Sequence, residues 1–396
     1  MRVVVSGFDS RGGVEPLVAL AVRLREAGAE VQVCLPPDEE FEKRLAGAGV
    51  RMVAFGEPVR PAATAARPVS LSHRAAEVIA NQHRALAEVA EGADLLVATG
   101  VMPACAGMRT LAEKLGVRYV YATFQQLTLP SPYHPPIAYP GRPFPADADV
   151  AAMWDWDAES INLLFREPLN AYRTGLGLPP VRDVRDFVIT DRPLLAADPV
   201  LSPWRPADLD VVQTGAWLLP DERPLPDELA EFLDAGEPPV YVGFGSMPMH
   251  GSTDLGGEVM AAVRAHGRRA VLSRGWAGLG ETADDCIVVG EANHQALFRR
   301  VAAVVHHGGA GTTVTAASSG SPQVVVPQGA DQPYWASRVA ALGIGAAHDG
   351  PVPTAASLSA ALEVALRPAT RARAAVIGDT IRTDGAAVAA KLLLDA

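Results

Sequence analysis

Apolar residues fall along this chain in short dense runs, and longer amphipathic segments separate the runs. Arg2–Gly7 reads as a buried strand, and Glu15–Ala27 as a helix with Leu17, Leu20, Ala21 and Leu24 on one face. Glu30–Leu35 is a second strand closed by Pro36-Pro37. Asp94–Thr99 is a third, Ala104–Leu115 a helix, and Val117–Ala122 a strand again. Repeated strand–helix–strand order predicts a parallel sheet with helices on both faces. Between Thr128 and Trp156 the pattern dissolves into prolines, glycine and aromatics, including Tyr133, His134, Tyr139, Phe144, Trp154 and Trp156. A stretch this long with such flat side chains reads as a binding loop. The proline-rich Asp198–Pro206 reads as an extended linker. A second series follows, with strands at Pro239–Gly243, Ala270–Ser273, Cys286–Val289, Ala302–His306 and Gln323–Val326. The tail Thr370–Ala396 reads as helical.

With 396 residues, two domains are the natural expectation. The pattern divides the chain into 1–205, 206–378 and a C-terminal helix, 379–396, packing back on the first domain. No apolar run approaches the roughly 20 residues that cross a bilayer. The start reads as a strand, not an export signal, so the expectation is a cytoplasmic protein without a membrane partner. Cys34, Cys105 and Cys286 are isolated and read as buried thiols in a reducing compartment. A net charge of −11 argues against a nucleic-acid partner.

The chemistry concentrates in Ala303-Val304-Val305-His306-His307-Gly308-Gly309-Ala310-Gly311-Thr312-Thr313. A strand stops at two histidines, passes three closely spaced glycines and enters a helix. Glycine lets backbone approach a ligand, and a helix start offers unpaired N–H groups at the positive end of its dipole. That combination suits a phosphate. Alternation points the two histidines to opposite faces, so His306 reads as structural and His307 as the ligand-facing one. A dehydrogenase is disfavoured because Gly7–Gly13 is not GxGxxG and no acidic residue ends the second strand. A P-loop is excluded for want of GK[ST]. Other strand ends carry Gly243–Ser246, Ser273–Trp276, Gly290–His294 and Pro327–Gln332, groups able to hold a diphosphate and sugar hydroxyls. Trp217 and Trp276 read as core.

These residues resemble the nucleotide-sugar glycosyltransferases of the GT-B fold, family 1. More closely, they resemble the enzymes that glycosylate vancomycin- and teicoplanin-type glycopeptide antibiotics. The likeness runs through Ser10-Arg11-Gly12, Glu15–Leu20, Ala196–Leu201, Gln213–Trp217, Tyr241–Ser246, Leu272–Trp276 and His306–Thr313. It implies an α/β protein with two Rossmann-like parallel-sheet domains facing across a cleft. By the same resemblance Ser246, His307, Gly309, Gly311 and Thr312 would line the nucleotide diphosphate, and Arg274 would belong to the donor site. Glu291, Ala292, Asn293 and His294 would border base and ribose, and Asp331-Gln332 would hold the sugar. Ser10 and Arg11 would lie near the reacting carbon. Phe124, Tyr133, His134, Tyr139 and Trp154 would face the acceptor.

The implied reaction inverts C1 while moving a hexose from UDP-glucose or UDP-N-acetylglucosamine, in preference to a TDP-sugar, to a hydroxyl of the heptapeptide aglycone. No cofactor or metal is implied. Asp155-Trp156-Asp157 has the DxD spacing of metal-binding transferases but reads as an exposed helix face. Members of this group usually carry an aspartate right after Ser-Arg-Gly as general base, and here Gly13 stands there. Three readings stay open: Asp9 substitutes, His134 serves, or an acidic phenol acceptor needs little help. Two other function classes remain, a UDP-sugar epimerase of the same fold and a non-catalytic accessory homologue.

Overall fold

The computed structural model of the chain describes residues 1–59, 70–247, 249, 251, 254–280 and 282–395. They form two compact units. One comprises Met1–Ala197, Trp204–Leu219 and Asp384–Ala396, the other Asp198–Pro203 and Pro220–Thr383.

The first unit is built on seven strands: β1 (Arg2–Phe8), β2 (Glu30–Leu35), β3 (Arg51–Ala54), β4 (Leu95–Gly100), β5 (Arg118–Thr123), β6 (Leu194–Leu195) and β7 (Val212–Gln213). All pairings are parallel, in the order β3-β2-β1-β4-β5-β6-β7. The order reverses between β1 and β4, and in open parallel sheets ligands gather beyond the strand ends at such a reversal. Helix Arg11–Glu26 packs Leu17, Leu20 and Leu24 onto Val5, Val33 and Val97. Helix Gly385–Asp395 adds Ala386, Ala389, Ala390 and Leu393 to the same core.

The second unit has six strands: β8 (Val240–Gly243), β9 (Ala270–Ser273), β10 (Cys286–Val289), β11 (Ala303–His306), β12 (Gln323–Val325) and β13 (Gly345–Ala347). They are again parallel, in the order β10-β9-β8-β11-β12-β13, with the reversal between β8 and β11. His306 pairs with Gly243, so the loops after these two strands leave the sheet side by side.

Several expectations change. The first helix starts at Arg11, not Glu15, because Gly12 and Gly13 are already helical. The stretch expected as an extended linker, Asp198–Pro206, opens instead with a turn around a buried carboxylate: Asp198 Oδ1 accepts from the N–H groups of Val200 and Leu201. Residues 206–219, expected in the second domain, belong to the first unit because β7 pairs with β6. The tail is two helices, Pro368–Gly378 and Gly385–Asp395. Residues 379–383 stay with the second unit, where the Arg382 N–H bonds Asp198 Oδ2 at 2.9 Å. Among the described residues no helix is long and apolar enough to cross a membrane.

Candidate functional site

In the second unit the ends of β8, β9 and β11 converge on His307. Its imidazole is pinned between two glycines. A Cβ on Gly309 would come within 2.6 Å of His307 Nε2, and one on Gly245 within 3.3 Å of its Cε1. Gly245 in turn accepts from the Trp276 N–H at 2.9 Å through its carbonyl, tying the β8 and β9 loops together. The Nδ1 atom of His307 is buried without a hydrogen-bond partner, a deficit that native proteins rarely leave unexplained. Burial draws its pKa down to about 4, so at neutral pH the ring offers a hydrogen bond and no charge.

Gly309 is the N-cap of helix Ala310–Ser318 and has no side chain to cap it. The first-turn N–H groups of Ala310, Gly311 and Thr312 therefore look outward beside His307. Ser246, half-buried, follows Gly245. A neutral histidine, a hydroxyl and an uncapped helix start make a receptacle for an anion. His306, fully buried, sets the turn: Nε2 shares a 2.9 Å hydrogen bond with Gln323 Oε1, and Nδ1 accepts from the Gly308 N–H at 3.1 Å. It is the structural histidine the sequence suggested. Burial pushes its pKa down to about 3.

Asp331 and Gln332 open helix Gln332–Ala341 beyond β12, the strand next to β11. Arg274 is exposed at the end of β9. The β10 loop differs from expectation. Glu291 pairs with Arg223 at 3.2 Å. Asn293 is buried, caps the Ala296 N–H, and gives its amide protons to the carbonyls of Asp221 and Arg223. It braces a loop and has no proton left for a ribose. His294 is likewise engaged, sharing a 3.1 Å bond with the Tyr241 hydroxyl and stacking on Phe298. Ala292 packs against the apolar cluster of Phe298 and Leu297.

In the first unit Asp9 and Ser10 lead from β1 into helix Arg11–Glu26 at the reversal point of the sheet. The Asp9 carboxylate accepts from the Ser10 N–H at 2.6 Å. Arg11 lies 3.6 Å from Glu15, which also receives Arg44 at 2.9 Å.

The aromatic stretch is mostly internal, against the expectation of an open acceptor wall. Trp154 is buried and donates from Nε1 to the His134 carbonyl at 2.9 Å. His134 is buried edge-on to Trp154 and Trp204, with Nε2 unpartnered, and burial lowers its pKa. Phe124 leans on Trp217, and Tyr139 on Phe165. Of the five, only Tyr133 is substantially exposed, under Arg205. Their apolar area is better buried among themselves than left to water. The DxD triplet sits inside helix Val150–Gly175, Asp155 outward and Asp157 inward against Arg185 at 3.5 Å. The exposed face expected there holds only for Asp155, and two carboxylates two residues apart on a helix diverge.

Solved structures that share this fold include glycosyltransferases. The glycotransferase of kitacinnamycin matches with a TM-score of 0.71 at 21% identity, over 100% of this chain and 98% of that one. Streptomyces sp. SF2575 glycosyltransferase SsfS6, complexed with thymidine diphosphate, matches with a TM-score of 0.66 at 20% identity, over 100% of each chain. The fold is therefore GT-B. The family model for the erythromycin biosynthesis protein CIII-like C-terminal domain matches residues 255–388. The vancomycin aglycone glucosyltransferase of Amycolatopsis orientalis is 53% identical over 402 residues, 100% of this chain and 98% of the relative. The dTDP-epi-vancosaminyltransferase of the same organism is 51% identical over 406 residues, with the same coverage. The chain belongs to the glycopeptide-antibiotic glycosyltransferases of family 1.

Proposed function

We propose that this protein transfers a hexose, glucose or N-acetylglucosamine, from a UDP-sugar to a hydroxyl of a vancomycin-type heptapeptide aglycone, inverting C1 without a metal. The observation that carries this reading is 53% identity along the whole chain to a vancomycin aglycone glucosyltransferase. The retained Asp331-Gln332 pair supports a hydroxyl-rich sugar. In this reading the diphosphate rests on the helix start at Ala310, with Ser246, His307, Gly309, Gly311 and Thr312 around it. Arg274 and the Glu291–Asn293 strand end serve the nucleotide more distantly.

Asp9 takes the proton of the acceptor hydroxyl. The freed oxygen forms its bond to C1 as the bond from C1 to the phosphate oxygen breaks, and the nucleoside diphosphate leaves with the electron pair. Backbone donors and the His307 imidazole spread the charge on the leaving phosphate, and Ser10 and Arg11 flank the reacting groups. Tyr133 offers an aromatic face to the aglycone. We place the reaction in the cytoplasm.

The test is mass spectrometry of aglycone products against UDP-glucose, UDP-N-acetylglucosamine and TDP-glucose, with the anomeric configuration read by NMR and a chelator arm. A β-linked hexose from a UDP-sugar, unchanged by chelator, is expected. Transfer only from a TDP-sugar, loss of activity on chelation restored by manganese, or an epimerised donor without acceptor transfer would each overturn the corresponding part.

A further inference from the structure

Asp331 and Gln332 begin a helix, yet neither side chain behaves as residues at a helix start usually do. Asp331 occupies the N-cap, where an aspartate ordinarily turns its carboxylate onto the first-turn N–H groups. It makes no such bond. Instead Oδ2 accepts from the indole N–H of Trp335, one turn along, at 2.7 Å. Trp335 has no solvent exposure and sits edge-on to Tyr334, so that donor cannot move aside. Burial raises the pKa of Asp331 above the ordinary carboxylate range, with the indole bond acting against that rise.

Gln332 is committed in a matching way. Its Oε1 accepts from the Gln328 N–H at 2.7 Å, and its Nε2 lies 3.7 Å from the sulfur of Met247. The first bond closes the turn over Ala330, a non-glycine residue held at φ +53°. Strained backbone of this kind persists where the surroundings over-determine it, and it concentrates at ligand clamps. The two side chains are thus set before any ligand arrives. Asp331 has Oδ1 outside the indole bond. Gln332 has an amide nitrogen whose thioether partner is weak. Together they present one anionic acceptor beside one donor, the complement of two neighbouring hydroxyls.

We propose that Trp335 is a positioning residue for donor selection: its indole N–H fixes the Asp331 carboxylate so that it distinguishes a hydroxyl-bearing sugar from its deoxygenated counterpart. This rests on the reading of Asp331 and Gln332 as the sugar-holding pair. A site built to bond a hydroxyl rejects the analogue lacking it because its own polar groups are left unpaired. That penalty requires the carboxylate to be held in place.

The experiment compares kcat/KM for UDP-glucose with kcat/KM for its 3-deoxy and 4-deoxy analogues, in wild type, Trp335→Phe, Asp331→Asn and the double variant. Phenylalanine keeps an aromatic ring and removes only the donor and part of the volume. Trp335→Phe is expected to cut the preference over at least one analogue about tenfold or more, with UDP affinity unchanged. In the Asp331→Asn background it should have no further effect, since both act through one carboxylate. An equal loss for all donors, or additive effects, would overturn the proposal.

Should Trp335→Phe not fold, the indole N–H resonance of Trp335 in the wild-type protein decides. It must shift further with UDP-glucose than with UDP, and identical spectra sink the idea. Loss of selectivity in Asp331→Asn but not in Trp335→Phe refutes the positioning role alone. No selectivity in wild type refutes the underlying sugar-pair reading.

Discussion

The side chain of Asp9 fills the space above Gly13: a Cβ added at Gly13 would lie 2.5 Å from both Cβ and Cγ of Asp9. The two positions are alternatives, and only one can carry a side chain there. The family resemblance implies an aspartate at the second of them. Here the carboxylate arrives from the strand side of the same turn, at a helix start whose dipole favours negative charge.

This relationship predicts how the base can be moved. Asp9→Asn should lower kcat by roughly 10²–10⁴, the usual worth of general-base help, with donor KM little changed. Gly13→Ala should do similar damage by driving Asp9 out of its place. The exchange Asp9→Gly with Gly13→Asp should recover much of the activity, because it returns one carboxylate to the same region. Steady-state kinetics on the four proteins settle the matter. Full activity in Asp9→Asn would mean that the acceptor loses its proton without Asp9.

Gly311 and Gly309 separate a ligand role from a packing role. A Cβ at Gly311 meets nothing within 4 Å, and alanine in a helix is favoured over glycine by about 0.5–1 kcal/mol. Gly311→Ala should therefore melt higher than wild type while binding UDP more weakly, since the new methyl projects where a phosphate would rest. Gly309→Ala instead collides with His307 Nε2 and should weaken binding about tenfold or more without the gain in stability. Calorimetry with UDP alongside thermal melting checks both. Unchanged affinity in Gly311→Ala would place the diphosphate elsewhere.

Acid should destabilise the protein through the paired histidines. Both have folded pKa values below the ordinary 6.5, His306 at about 3 and His307 at about 4. Between pH 6.5 and 4 the unfolded chain binds protons that the folded chain refuses, so unfolding free energy falls as pH drops. The slope approaches about 1.4 kcal/mol per pH unit for each histidine. Asp157 acts with the opposite sign. Burial raises its pKa to about 6, so its contribution is present at low pH and lost as pH rises through that value. Urea melts from pH 7 to 4.5 should show a net acid-labile slope, flatter in His307→Asn and steeper in Asp157→Asn. A pH-independent midpoint in all three would contradict the burial of these groups.

Much of this was legible in the chain because strongly periodic elements reveal themselves. The runs ending at Gly7, Leu35, Gly243, Ser273, Val289 and His306 are β-rich and bounded by glycine or proline, and they are strands. Leu194–Leu195, Val212–Gln213 and Gly345–Ala347 carry no such signal because two or three residues hold no period, and their pairing comes from neighbours distant in sequence. At the site, glycine spacing gave away the turn at His307. The loop-bracing bonds of Asn293 were not legible, because a polar residue at a strand end looks alike whether it braces a loop or meets a ligand. Trp154 and Tyr139 misled for a related reason: aromatic residues in an irregular stretch can pack on each other. No signal pointed to Trp335, since an indole N–H one turn from a carboxylate matters only once the N-cap is seen to leave that carboxylate uncommitted.

Asp198 was hidden among prolines and carries the sharpest stability prediction. It has no solvent exposure, and its two oxygens serve three backbone donors: Val200 at 2.8 Å and Leu201 at 3.1 Å on Oδ1, and Arg382 at 2.9 Å on Oδ2. One carboxylate thus fastens the turn at 198–203 to residue 382, 184 positions away. Alanine would leave the buried Leu201 N–H without a partner, at a cost of about 1–3 kcal/mol, while the Val200 and Arg382 N–H groups are only partly buried. Asp198→Ala should therefore lose roughly 1–3 kcal/mol, while Asp198→Asn, which keeps one acceptor oxygen, should lose distinctly less. Denaturant melts give the two values, and hydrogen exchange at the Arg382 amide gives the mechanism: it should quicken in both variants, most in alanine. If Asp198→Ala melts like wild type, water has replaced the carboxylate and the turn does not depend on it.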